Sequence, residues 1–304
     1  MAEENFLYID AHTHLDMIYE KLGKDLQDSF EEWSFSWPKG FDGCLCSYSD
    51  SFDKTLRFIN SGNPKIFGSL GMNPHDAKLY NDEFEAALIS NLPNPRVKAL
   101  GEIGLDYHYT LSPVEVQKEV FEKQAKMAVE RQLPITIHMR EAEDDCYEIL
   151  KKVVPKDHKF HIHCFTDTWN FAEKVLKEWP NSYFGFTGVV TFKSSKNVQD
   201  VCSKIPLDRI LSETDGPFMA PVPYRGKASM PGYIPQIVKK IAELHKVSEK
   251  IAPKPPNLTK CLDMISNVKI ILDLFLKKLL LEVKKKLKKK KEKWKIKKKK
   301  RRKK

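Results

Sequence analysis

Short apolar runs alternate with amphipathic stretches along most of this chain. Eight runs have the near-continuous apolar character of strands buried on both faces: Phe6–Asp10, Phe41–Cys46, Lys65–Leu70, Val97–Glu102, Pro134–His138, Lys159–His163, Ser182–Phe186 and Arg209–Glu213. Helical periodicity fills the gaps. Ser112-Pro113-Val114-Glu115 reads as a helix start, with Ser112 as the cap and Pro113 in the first position. Val116, Val120, Phe121, Ala125 and Ala128 follow at helical spacing. Residues 141–152, 168–179 and 195–204 fill later gaps, and Ile234, Ile237, Val238 and Ile241 mark a helix after the last strand. Alternation of this kind predicts an α/β fold, and eight strands predict a TIM-type (β/α)8 barrel. The segment Tyr19–Pro38 is long for a βα connection; with Trp33, Phe35 and Trp37 it is a candidate helix over the barrel mouth.

The pattern stops near residue 250. Ala252-Pro253-Lys254-Pro255-Pro256 breaks any helix, an apolar stripe from Val268 to Val283 follows, and the chain then becomes almost pure lysine. The expected organisation is a barrel over 1–250 and a basic C-terminal tail over 251–304, since such a barrel takes about 250 residues. Charge sharpens the division. The 304-residue chain is net +11, but Lys277–Lys304 alone holds 19 Lys and Arg against two acids. The remainder has 33 basic and 39 acidic residues, a net of −6. A basic body would argue for tight nonspecific binding of nucleic acid, and this acidic one does not. If it handles phosphate, bound metal must supply much of the positive charge. The tail reads as a frame change or retained intron in the gene, the reading we favour. Otherwise it is a genuine extension in which KKKKRRKK (297–304) is an import signal or nucleic-acid contact, or a basic amphipathic helix at a membrane surface.

The six cysteines form no Cys-x-x-Cys framework, and Met1-Ala2-Glu3-Glu4 lacks the basic and apolar regions of a signal peptide. No run of 18 apolar residues exists. The expected placement is intracellular, cytoplasmic or nuclear, with no membrane partner and a monomer as the default state. Cys44 and Cys46 are expected in a strand or the core.

Candidate chemistry lies at the strand ends. His12 and His14 end the first predicted strand, Glu102 the fourth, His138 the fifth and His163 the sixth, and Asp215 follows the eighth. Parallel strands of a barrel all finish on one rim, where the active sites of this fold lie. Four imidazoles and two carboxylates exceed the needs of one metal ion. His-x-His puts both rings on one side of a strand, so His12 and His14 are able to grip one ion. Glu102 has two oxygens with which to bridge two ions, His138 and His163 would complete the second, and Asp215 would join the first and hold a water. His161 precedes the strand end and reads as structural or supporting; His108, His158 and His245 carry no assigned role.

The runs IDAHTHLD (9–16), GMNPHDA (71–77), GEIGLDY (101–107), IHMREA (137–142), HCFT (163–166), SETDGPF (212–218) and APVPYRGK (220–227) together resemble the ordered motif set of the TatD family, closest to its eukaryotic branch. The resemblance covers residues 6 to 245. It implies a barrel with two divalent metal ions (Mg, Mn or Zn) and a nucleic-acid substrate. The implied activity is hydrolysis of DNA, commonly as a 3′→5′ exonuclease and in some relatives extending to RNA. His12, His14, Glu102, His138, His163 and Asp215 match the family's metal positions, with Asp215 and Glu102 at the reacting centre. His75, Arg140 and Arg225 match positions suited to substrate phosphate. Two positions depart from the pattern: Asn73 stands where a His is usual, and Asp167 where a Gly is usual. Asn73 still offers a hydrogen bond to phosphate but no cationic ring, and Asp167 adds negative charge beside an anion site. The alternatives are a small-molecule amidohydrolase or phosphotriesterase-like enzyme, which often bridges its ions with a modified lysine, and a non-catalytic nucleic-acid-binding barrel.

Overall fold

The computed structural model describes residues 8–24 and 37–247. Its strands are β1 (Tyr8–Thr13), β2 (Phe41–Ser47), β3 (Ile66–Leu70), β4 (Val97–Asp106), β5 (Ile135–Arg140), β6 (Phe160–Ile162), β7 (Ser182–Phe186) and β8 (Ile210–Ser212). They form one eight-stranded sheet in sequence order, with every neighbouring pair parallel. Parallel neighbours need crossovers. Helices α1 (Leu15–Lys21), α2 (Phe52–Ile59), α3 (Asp82–Asn91), α4 (Val114–Glu130), α5 (Glu143–Val153), α6 (Trp169–Glu178) and α7 (Lys196–Lys204) provide them, and α8 (Ile234–Leu244) follows the last strand. The strands bury Leu100, Ile103, Ile135, Ile137, Ile162 and Phe184 completely, which is why the sequence shows runs rather than alternation.

The seam between β8 and β1 is closed by individual bonds instead of a ladder. Ser212 Oγ donates to Ile9 O (3.3 Å), the Asp215 N–H to His12 O (2.9 Å) and the His14 N–H to Gly216 O (2.9 Å). Closing the barrel therefore also fixes the backbone of three candidate site residues.

All eight expected strands are present, but four run further than the apolar pattern indicates: β2 by one residue to Ser47, β5 by two to Arg140, and β1 and β4 by more. β1 continues through His12 to Thr13, and β4 passes Glu102 to end at Asp106. The extension of β4 depends on Gly104, which pairs with His138 on β5 at a φ of +149°. A Cβ there would collide with the His138 carbonyl, so only glycine lets the strands stay paired to Asp106. Glu102 thus stands within the strand, and Asp106 takes the rim. The helix start at 112–115 also differs. α4 begins at Val114, and the Ser112 hydroxyl donates to His75 O (2.7 Å) while accepting from the Lys78 N–H (3.1 Å). Tertiary bonds have taken the group expected to cap the helix. Cys44 and Cys46 are buried in β2 as expected, and the five described cysteines are unpaired. Among the described residues no helix is long and apolar enough to cross a membrane. The expected helix within Tyr19–Pro38 falls largely on 25–36, and that segment and the 251–304 tail lie outside the described residues.

Candidate metal centre

Six side chains predicted from strand ends meet at the C-terminal rim. His12 comes from β1 and His14 from just beyond it, and their Nε2 atoms stand 3.1 Å apart. Glu102 Oε2 lies 3.4 Å from His12 Nε2 and 3.5 Å from His14 Nε2. Asp215 Oδ1 lies 3.6 and 3.8 Å from the same two nitrogens. The other Glu102 oxygen, Oε1, faces a second group: His138 Nδ1 at 2.6 Å and His163 Nε2 at 2.9 Å, themselves 3.1 Å apart. Glu102 therefore stands between two donor sets and offers one oxygen to each. The backbone turns sharply where these strands end: Glu141, Cys164 and Asp215, just past β5, β6 and β8, all have φ between +46° and +55°.

Serines at the end of β2 set the orientation of the first pair. Ser49 Oγ donates its proton to Asp16 Oδ1 (2.9 Å), so its contact with His14 Nδ1 (3.3 Å) is as acceptor. His14 then carries its proton on Nδ1 and turns the Nε2 lone pair toward the cluster. Ser47 Oγ lies 3.2 Å from His12 Nδ1 and holds the other ring by the nitrogen that faces away from the cluster. Burial pulls the His12 imidazole down to about 3 and lowers His14 as well. Both rings are therefore neutral, the form that ligates metal.

The carboxylates behave oppositely. Asp10, Glu102, Asp106, Glu213 and Asp215 are all buried, and among the described residues no Lys or Arg pairs with any of them. Burial pushes Asp215 up to about 7 and Asp10 up to about 8. Burial works against ionisation of Glu102 too, but the charge of His163 and hydrogen bonds from His12, His138 and His163 hold it well below the usual range. Unlike His12 and His14, His138 and His163 are raised by the carboxylates they touch, His138 to about 10, against the effect of burial. Buried carboxylates with no Lys or Arg partner, gathered around four imidazoles, are the donor chemistry of a divalent-cation site. The donor separations of 3.1–3.8 Å in the first set are close to the edges, about 3.3 Å, of a tetrahedron of ligands around such an ion. Three groups of His, Asp and Glu have the spacing for a metal: His12/His14/Asp215, His12/Glu102/His163 and His75/Asp106/His138.

The third group includes a residue the strand-end reading missed. Asp106 Oδ2 contacts both His138 Nε2 (3.0 Å) and His75 Nε2 (2.9 Å), and its Oδ1 accepts from the Tyr109 N–H (2.9 Å). Burial opposes its ionisation, but the bonds to His138 and His75 hold its carboxyl well below the usual range. Its signal was the second acid of GEIGLDY, masked by ending the strand at Glu102. Asp10 was also missed. It accepts from the Thr214 N–H (2.8 Å) and the Thr214 hydroxyl, tying β1 to the segment that carries Asp215. Glu213 is the third. Its Oε2 sits 2.8 Å from His161 Nε2 as an ion-pair contact without hydrogen-bond geometry, and its Oε1 accepts from the Cys164 N–H and lies 3.9 Å from His163 Nδ1. Gly185 on β7 leaves the room for this pair, because a Cβ would strike both side chains. His161 is thus a supporting residue, as its position before the strand end indicated.

The remaining expected residues are spread more widely. His75 is one-third exposed and packs edge-on against Tyr109, with ring centroids 5.7 Å apart. Arg140 lies 4.8 Å over the Tyr109 ring. Arg225 lies 3.9 Å over Phe192, in the β7–α7 connection. Asn73 caps the 3-10 turn Pro74–Leu79, its Oδ1 accepting from the Asp76 N–H (3.2 Å). Its side-chain N–H donates within the same turn, to Asp76 Oδ2 (3.5 Å). Asp167, partly buried, is pushed up to about 6 by burial and by Glu143.

A family model described as "TatD related DNase" matches residues 9–254. The chain is 41% identical over 252 residues to the uncharacterized metal-dependent hydrolase YabD of Bacillus subtilis, a match covering 81% of this chain and 94% of that protein. It is 37% identical over 271 residues to the human protein named 3′-5′ RNA nuclease TATDN2, covering 84% of this chain but only about a third (34%) of that longer protein. Among solved structures, the fold is similar to the TatD homologue YJJV of Escherichia coli, with a TM-score of 0.73 at 24% identity, covering 84% and 97% of the two chains. A TatD family hydrolase of Entamoeba histolytica gives a TM-score of 0.70 at 19% identity, covering 86% and 99%.

Proposed function

The chain belongs to the TatD-related DNase family, and from that premise we propose that it is a divalent-metal-dependent nuclease that removes nucleotides from the 3′ end of DNA and RNA. The position of Glu102 carries this reading: one carboxylate lies between two sets of imidazole and carboxylate donors, His12/His14/Asp215 and His138/His163. The family description and the names of the two relatives support metal-dependent phosphodiester hydrolysis. A family described by DNA and a relative named for RNA support both sugars.

His12, His14 and Asp215 would hold one ion, His138 and His163 a second, with Glu102 shared. When bound, two divalent ions polarise the phosphoryl group and lower the pKa of a water toward neutrality. The protein's part is positional. Ser47 and Ser49 keep the imidazoles of His12 and His14 turned into the site, and Asp106 does the same for His138. Asp215, its backbone fixed by the bond to His12 O, orients the attacking water and takes its proton on the carboxylate. A P–O bond forms as the bond to the 3′ oxygen breaks, and that oxygen recovers a proton as it leaves. Arg140 and Arg225 contribute charge to the phosphate that develops negative character in the transition state.

The test is cleavage of 5′-labelled and 3′-labelled single-stranded DNA and RNA with Mg, Mn or EDTA. Stepwise shortening from the 3′ end, abolished by EDTA and by His138→Ala, is expected. A folded, metal-loaded protein that cuts neither polymer but hydrolyses small phosphotriesters or amides would replace this reading with that of a small-molecule hydrolase.

A further inference from the structure

A row of aromatic rings leads from the buried centre to solvent. His14 and His12 have centroids 4.9 Å apart, His12 and His163 4.1 Å, His163 and His138 5.2 Å, His138 and His75 5.6 Å, and His75 and Tyr109 5.7 Å. From His12 outward, exposure rises along this row. The His12 side chain is fully buried, His138 is 17% and His75 32% exposed, and Tyr109 is 53% exposed. An aromatic ring held half in water, one histidine beyond a candidate metal ligand, is not explained by core packing.

The ring is also held in place. Its backbone N–H donates to Asp106 Oδ1, the carboxylate whose other oxygen touches His138 and His75. Arg140 covers it with a guanidinium at 4.8 Å, and His75 and His108 meet it edge-on, at 88° and 86°. One residue, Asp106, thus fixes both the orientation of His138 and the position of the exposed ring. Resting on the nuclease reading above, we propose that Tyr109 is a stacking position for an unpaired nucleobase of the strand being cut, so that the substrate must be single-stranded at this point. Every base has a π-face, so the contact tolerates sequence and sugar alike. It also answers a need set by charge. With the barrel's net charge negative apart from the tail, phosphate attraction alone is a weak source of affinity, and stacking supplies binding that needs no positive surface.

The experiment compares the full-length wild type with Tyr109→Ala, Tyr109→Phe and, as a control in the same loop, Leu111→Ala, which is exposed but outside the ring row. Two substrates are used with Mn: a single-stranded oligonucleotide and the base-free diester bis(p-nitrophenyl) phosphate. Tyr109→Ala is expected to raise KM for the oligonucleotide about five- to a hundredfold with kcat little changed. It should leave hydrolysis of the base-free diester within about twofold. Tyr109→Phe and Leu111→Ala should match the wild type. An unchanged oligonucleotide KM in Tyr109→Ala overturns the stacking role and leaves the nuclease intact. Equal losses on both substrates would assign Tyr109 to support of the metal centre through Asp106 and likewise overturn it. A wild type that hydrolyses the base-free diester but no oligonucleotide removes the nuclease reading and this inference with it.

Discussion

The two sides of the rim are built from the same residue types to opposite ends. On the β8–β1 side, His12, His14 and Asp215 are almost wholly buried, and the backbone bonds that close the barrel hold them. Asp10 and Thr214 brace them from below, Ser47 from the end of β2 and Ser49 from just beyond it. On the β4–β5 side, His138 and His75 stand partly in solvent around a buried Asp106, and the loop beyond β4 carries Tyr109, covered by the guanidinium of Arg140 from the end of β5. Identical chemistry thus serves two purposes. A sealed side fixes donor atoms regardless of what arrives, while an open side shares its carboxylate between a metal-facing imidazole and groups that reach toward substrate.

The largest effect should come from the sealed side. Asp215→Asn keeps shape and removes the proton acceptor, so turnover should fall by about three orders of magnitude with the circular dichroism spectrum unchanged. Near-normal turnover would remove Asp215 from the reaction. Chelation comes next. An ion that binds only the folded chain, at about a thousand times its Kd, stabilises it by about 4 kcal/mol. EDTA should therefore lower Tm by roughly 10 °C, a shift readable in a thermal melt, and Zn or Mn should restore it. Buried carboxylates without Lys or Arg partners are the reason to expect this, and an unchanged Tm would argue against occupancy.

The bracing residues on the two sides should then separate. Asp106→Asn withdraws the acceptor that orients His138 and should weaken metal affinity or activity about ten- to a hundredfold, measured by titration calorimetry. Ser49→Ala, on the sealed side, should cost only a few-fold, because the backbone bond from the His14 N–H to Gly216 O remains. Equal losses in the two variants would erase the distinction between sides.

The smallest effect lies at the edge of the open side, at Asp167. Its folded pKa is about 6 against an ordinary 3.8, so its ionised form is disfavoured by folding. The penalty is absent below about pH 4, grows between pH 4 and 6, and is complete above the folded value. Asp167→Asn should therefore be more stable by about 1 kcal/mol at pH 7.5, the full shift being reduced by residual solvent screening. The advantage should vanish near pH 4 in denaturant titrations. A gain that persisted at pH 4 would assign the effect to something other than charge.

Much of this was legible in the sequence because the strands are buried on both faces, and their apolar runs locate all eight. Polar residues that end such runs then mark the rim, which is how His12, His14, His138, His163 and Asp215 became visible. What escaped was set by three-dimensional pairing. Glu102 was expected at a strand end, but Gly104 allows β4 to run on to Asp106. Ser112 has the sequence of a helix cap, yet its hydroxyl goes to His75 and Lys78 from another connection. Ser47 and Ser49 are ordinary serines until β2 is placed beside β1. Supporting contacts join residues 30 to 200 positions apart, and no local pattern carries them.

The most direct single measurement is anomalous scattering from crystals of the full chain soaked in Mn. Two peaks are expected, one among His12 Nε2, His14 Nε2, Glu102 and Asp215, the other among Glu102, His138 Nδ1 and His163 Nε2. A peak confined to His75, Asp106 and His138, or no peak in a crystal shown to take up Mn elsewhere, would contradict the two-set centre bridged by Glu102.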